Sequence, residues 1–172
     1  KALAHPDCVR ILTAEDVPFN KTGHLVPDWD VLIAKGDTTR YIGDAIVLAA
    51  STKKETLDKI LSLVEVDYEE LTPLTNPLEA MKEDAPNLHP QGNILSKQMI
   101  ARGNVDEAIK NSKYVVTNHY SVPMTDHAFM EPECAIGIPN GDGVLMYTAS
   151  QSVYDEQREI ARMLNISPVL VR

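Results

Sequence analysis

An apolar run, Ala45-Ile-Val-Leu-Ala-Ala50, leads into a helix-start pattern and then an alternating segment. No other feature limits the possible folds as much. The run is of strand length and falls far short of the roughly 20 residues that cross a bilayer as a helix. A strand that is apolar at every position is one covered on both faces. Thr52 and Glu55 then form a capping-box pattern. Leu57, Ile60, Leu61 and Val64 follow at i, i+3, i+4 and i+7, one stripe of an amphipathic helix that should pack on the sheet. Val64-Glu-Val-Asp-Tyr68 alternates, as a strand with one wet face does. Strand, helix and strand within about 30 residues form a βαβ or split-βαβ unit, so an α+β fold is expected.

Composition narrows the function. With 44% hydrophobic residues among 172, the chain can bury a core. Aromatic content of 5% leaves that core to Val, Ile, Leu, Ala and Met. A net charge of -9 repels phosphate backbones, so no nucleic-acid partner is expected. No basic amphipathic stretch offers itself to a membrane. The start, Lys-Ala-Leu-Ala-His-Pro, is not a signal peptide and lacks an initiator Met, which suggests a chain beginning inside a longer protein. Cys8 and Cys134 lie far apart and outside any Cys-x-x-Cys pair, so a metal centre has no local ligand set. A reduced, cytoplasmic setting is the simplest reading, and a single disulfide stays open.

Pro and Gly divide the rest. Thr13-Ala-Glu-Asp16 reads as a capped helical turn ended by Pro18, and residues 19–30 as a loop. Residues 71–103 carry Pro73, Pro77, Pro86 and Pro90 and read as a connection with one helical turn at Leu78 to Met81. Asn104 caps a short helix. Lys113 to Val122 reads as a strand with Tyr114, Val116, Asn118 and Tyr120 on one side. Cys134 to Ile138 and Val144 to Thr148 are strands joined by Asn140-Gly-Asp-Gly143, a strong hairpin signal. Ser152 caps a helix with a buried stripe of Val153, Ile160, Ala161 and Leu164. Pro168 and Val169-Leu-Val171 begin a further strand.

No phosphate loop, nucleophile elbow or His-Glu-x-x-His is present. Two segments concentrate polar groups. Thr125-Asp-His-Ala-Phe-Met-Glu-Pro-Glu133 mixes ionisable and bulky apolar side chains, while Thr148-Ala-Ser-Gln-Ser152 joins a strand to a helix N-terminus. That terminus offers free N–H groups and a positive dipole end, and the Gln151 amide both donates and accepts. On the residues alone, Gln151 also reads as a cap or turn residue, His127 as a satisfied histidine and Glu131 as a solvated turn. Glu131 and Glu133 would point opposite ways in an extended chain, which makes a poor metal clamp.

The order of segments adds a resemblance. Thr13-Ala-Glu-Asp-Val-Pro18, Tyr41-Ile-Gly-Asp44 and Val64-Glu-Val-Asp-Tyr-Glu-Glu-Leu71 resemble, in that order, elements of the xanthine dehydrogenase/aldehyde oxidase family of molybdenum hydroxylases. So do Asn76-Pro-Leu-Glu-Ala80, Leu88-His-Pro-Gln-Gly-Asn93, Arg102-Gly-Asn-Val-Asp-Glu-Ala108, His127-Ala-Phe-Met-Glu-Pro-Glu133 and Ser150-Gln-Ser152. Thr72 intervenes between Leu71 and Pro73, and Ser150 replaces the family's usual Thr.

The resemblance implies that residues 1–75 are part of an α/β hammerhead domain and 76–103 a connecting segment. Residues 104–172 would be the beginning of a molybdopterin-binding α+β domain. It implies a partial chain of a subunit that hydroxylates purines, N-heterocycles or aldehydes with water-derived oxygen. Molybdopterin-molybdenum would serve the full-length enzyme, with iron–sulfur clusters and FAD on other domains or subunits, in a larger oligomer. The glycine-rich loop and catalytic glutamate of the family are not in this sequence, so no catalytic residue, no metal ligand and no bound cofactor are expected of the isolated chain. Gln151 matches the glutamine near the metal's oxo ligand, as a hydrogen-bond donor and not a ligand. His127 and Glu131 would support the pocket. The competing expectation is a non-catalytic assembly or partner-docking module from the same family. A free-standing small-molecule-binding domain is a third.

Overall fold

A computed structural model describes residues 1–23 and 26–172; His24 and Leu25, inside the segment read as a loop, lie outside the described residues. The fold contains both helices and strands, as α+β requires. The chain divides into two compact units: Lys1–Leu74 together with Glu133–Arg172, and Thr75–Pro132.

In the first unit, β1 (Cys8–Leu12) pairs antiparallel with β4 (Leu48–Ser51), from Leu12↔Leu48 to Cys8↔Ser51. The apolar run therefore enters a sheet only at its end, and its Leu48 is exposed, so it is not a strand covered on both faces. The expected cap at Thr52 is absent. Its N–H still donates to the Asp7 carbonyl at 3.0 Å, continuing the strand, and a 3₁₀ turn over Lys54–Thr56 opens only after Lys53. The helix α1 (Leu57–Leu61) follows. Ile60 is fully buried, whereas Leu61 is 43% exposed, so the stripe is narrower than its spacing suggests. Val64–Tyr68 forms no strand. The βαβ unit is thus replaced by an antiparallel β1–β4 ribbon with α1 packed beside it.

Between these elements, residues 19–30 are not simply a loop. β2 (Lys21–Thr22) pairs with β3 (Trp29–Asp30). Asn20 extends the pairing with its side chain: its amide donates to the Leu32 carbonyl at 2.7 Å and its oxygen accepts from the Leu32 N–H at 2.9 Å. This fixes buried Leu32 and Ile33. The Thr13–Asp16 turn forms as expected, with the Asp16 carboxylate accepting the Thr13 N–H at 2.8 Å.

The same unit contains the hairpin of β5 (Ala135–Asn140) and β6 (Gly143–Thr148), in register from Ala135↔Thr148 to Asn140↔Gly143. Gly141 adopts φ +59° at the first turn position, a left-handed conformation that side chains with a Cβ avoid. The helix α4 (Val153–Leu164) follows, and Asn165 ends it in the left-handed conformation. Ala161 is 1% exposed, but Val153 is 74% exposed and Leu164 lies half outside, so the expected stripe holds only at its centre. Residues Pro168–Leu170 form a 3₁₀ turn; Val171 then bridges Val144 in parallel, so only the last of Val169–Val171 joins the sheet. One side of α4 meets the β2 region. The Phe19 N–H donates to the Met163 carbonyl at 3.1 Å, and the Thr22 hydroxyl to Glu159 at 3.1 Å.

The second unit carries α2 (Pro77–Ala80) and α3 (Val105–Lys110), capped by the side chains of Asn76 and Asn104. Asn93 gathers the connecting segment by accepting from the Leu88 N–H and donating to the Ala80 and Pro86 carbonyls. Lys113 to Val122 is not a strand; every residue in it is exposed, and no ladder forms there among the described residues.

Candidate functional site

The strand end of β6 and the first turns of α4 border an open depression of about 540 Å³. The turn between them, Thr148 to Ser152, is built by its own side chains. Ser150 Oγ accepts the Ser152 N–H at 2.9 Å. The Ser152 hydroxyl donates to the Asp155 carboxylate, which Arg158 also contacts. The Thr148 hydroxyl donates to Glu156 across the turn. Hydrogen bonds from the Thr148 and Ser150 side chains hold the Glu156 carboxyl below its usual range.

Gln151 sits at the middle of this turn, exposed and lining the depression. Its amide takes no hydrogen bond among the described residues, while the hydroxyls on either side are engaged. Asp155, Glu156 and Glu159 also line the depression, and among the described residues no cationic side chain does. Two acids in the first turn suit the helix dipole and oppose a free anion. The helix start is therefore a poorer anion site than its sequence suggests. What remains is an uncommitted amide donor and acceptor beside an apolar floor of Met146, Ile160 and Met163. These residues fit an oxygen-bearing edge of a cofactor and not its phosphate, which would meet like charge.

His127 and Glu131 lie in the second unit, and both are exposed. Beside them Ala128 takes φ +51°, and its N–H donates to the Asp126 carboxylate at 2.6 Å. The described residues hold no cluster of three or more His, Cys, Asp or Glu able to bind a metal. Cys8 and Cys134 are both free. Among the described residues no helix is long and apolar enough to cross a membrane. Sequence reasoning singled out the segment from Thr148 but missed Glu156 and the bond between the two. The pair spans a strand end and a helix start, so neither period applies to it, and the turn geometry joins them.

Comparison with known proteins bears on the family of the chain. The family described as the molybdopterin cofactor-binding domain matches residues 88–172. A probable xanthine dehydrogenase component of Bacillus subtilis (strain 168) is 34% identical over 94% of this chain and 22% of its own length. The chain belongs to the xanthine dehydrogenase/aldehyde oxidase family. The "Xanthine dehydrogenase molybdenum-binding subunit" of Escherichia coli O157:H7 is 30% identical over 100% of this chain and 24% of its own. Aldehyde oxidoreductase from Desulfovibrio gigas shares the fold of this family member with a TM-score of 0.86 and 21% identity, over 99% of this chain and 20% of that one. The chain thus spans between a fifth and a quarter of the length of these relatives.

Proposed function

We propose that this chain forms part of the molybdenum-binding subunit of a xanthine dehydrogenase-like hydroxylase. The substrate class is a purine, N-heterocycle or aldehyde, with the inserted oxygen coming from water. The match of residues 88–172 to a molybdopterin cofactor-binding domain carries this reading. Residues 1–75 act as part of a hammerhead domain, 76–103 as the connection, and 104–172 as the first part of the cofactor domain. The enzyme works in the cytoplasm with iron–sulfur and flavin domains or subunits and the remainder of the molybdenum subunit.

Molybdopterin-molybdenum, when bound, supplies the oxygen-transfer and redox chemistry. Within this chain Gln151 would present its amide to an oxygen of that group, and the acids around it would keep a free anion from competing. His127 and Glu131 serve as pocket support in the full-length subunit, from the segment around the Asp126–Ala128 turn.

The test uses the whole subunit encoded around this chain. It should contain molybdenum and pterin in stoichiometric amount and hydroxylate substrates of these classes. In Gln151→Ala the loss of one donor beside the cofactor, worth about 1–3 kcal/mol, should lower turnover roughly tenfold or more with the fold intact. A role in holding the cofactor would lower metal content instead. Unchanged turnover with unchanged metal content returns Gln151 to a helix-start residue.

A second reading, an assembly or partner-docking module, draws on the exposed apolar residues Tyr114, Val116, Tyr120, Val122 and Met124. Absence of molybdenum and pterin from the whole subunit would favour it.

A further inference from the structure

We propose that Glu156 is the positioning residue for Gln151: its carboxylate, on the first turn of α4, accepts the hydroxyl of Thr148 at the end of β6 and closes the turn from which Gln151 projects. The inference rests on the role given to Gln151 above.

Three carboxylates line the depression, and their partners differ. Glu159 is held by Arg162 and by Thr22, tying α4 to β2. Asp155 bonds Ser152 and Arg158, tying the helix start to its own second turn. Glu156 reaches back across the turn, to a residue eight positions earlier. Its partners there are hydroxyls and not cations, so nothing in the pairing draws it away along the helix. Hydrogen bonds from the side chains of Thr148 and Ser150 favour the charged form of the carboxyl, the form that accepts charge-assisted hydrogen bonds. Ser150, one residue before Gln151, also accepts the N–H of Ser152, one residue after it. The backbone on both sides of Gln151 is thereby fixed, and the Gln151 amide is left unspent. A donor aimed at a reacting centre acts through placement, and small displacements cost much of its effect.

The experiment is a double-mutant cycle in the cofactor-loaded subunit. Glu156→Ala and Thr148→Val should each lower kcat by about tenfold, with KM and molybdenum content unchanged. Thr148→Ser, which keeps the hydroxyl, should restore turnover relative to Thr148→Val. In a Gln151→Ala background Glu156→Ala should cost nothing further, because the residue it positions is gone. Hydrogen exchange of the amides at 149–153 provides a readout independent of activity. It should quicken in Glu156→Ala while the β1–β4 amides stay as they were. Full activity in Glu156→Ala, or a loss that multiplies with that of Gln151→Ala, overturns the proposal while leaving Gln151 its role. Full activity in Gln151→Ala removes the role of Gln151, and the positioning role falls with it.

Discussion

Residues 135–148 and residues 113–122 carry the same sequence signal and reach different structures. The first is a paired hairpin, although one of its strands, Ala-Ile-Gly-Ile-Pro-Asn, contains both Gly and Pro. The second has the better strand composition, with Tyr114, Val115, Val116 and Tyr120, and remains unpaired and exposed. Propensity therefore does not decide the outcome. The hairpin has its partner two residues away, through a turn whose Gly141 accepts φ +59°. Closing so short a loop costs little conformational entropy, and the ladder bonds follow immediately. The segment 113–122 has no such neighbour, because Asn111-Ser112 precede it and Pro123 follows. A strand is a property of a pair, and alternation in one segment states only that a partner would be accepted.

The largest effect that separates the two kinds of region comes from truncating an apolar side chain in each. Ile60 is fully buried, so Ile60→Ala should destabilise by about 2–5 kcal/mol in chemical denaturation. Val116 is 81% exposed, and Val116→Ala should fall within about 0.5 kcal/mol of the parent. A large loss at Val116 would mean that residues 113–122 are buried against something in solution, and the contrast would break. Leu61→Ala should fall between the two, since Leu61 is half-exposed where its helical spacing placed it in the core.

A smaller effect sharpens the same contrast through the turn. Gly141→Ala places a Cβ on a left-handed residue, a strain of about 1–2 kcal/mol. Amide exchange in β5 and β6 should speed up accordingly, while exchange across 113–122 stays fast and unchanged. Equal protection of both segments in the parent protein would contradict the pairing described for each.

The same contrast governs how much of the fold is legible in the sequence. Local signals are legible: the Asn140-Gly-Asp-Gly143 turn, the Asn104 and Thr13 helix starts, and the strand-to-helix junction at Gln151 all appear where their residues indicate. Signals that depend on a distant partner are not. Val64–Tyr68 alternates but β4 pairs with β1 instead, a choice between chain segments about 40 residues apart that no local pattern encodes. Thr52 satisfies a capping-box spacing, yet its N–H is committed to Asp7. At the site, Gln151 stands out through its place in a series of motifs. The carboxylate that bonds across its turn does not, because Thr148 and Glu156 meet only once the strand stops and the helix starts.

The smallest expected effect concerns acid. Asp16 and Glu156 both hold their protons less tightly than usual. Asp16 accepts the Thr13 N–H and lies against Arg10, and Glu156 accepts the hydroxyls of Thr148 and Ser150. Their ordinary values are 3.8 and 4.5. A carboxyl with a depressed folded pKa contributes stability that is fully present above the ordinary value and is lost as pH falls through the lowered one. Stability should therefore be insensitive to these two groups near neutrality and decline on the acid side of pH 4.5, Glu156 first. Both groups are solvated, so the decline should be shallow and further reduced by salt. Thr148→Val removes the principal cause at Glu156 and should flatten the upper part of the decline, leaving the part due to Asp16. Melting temperature recorded against pH for the parent and Thr148→Val measures this directly. Identical acid limbs would mean that the Thr148–Glu156 bond is not populated in solution, and Glu156 would then have no hold on the turn around Gln151.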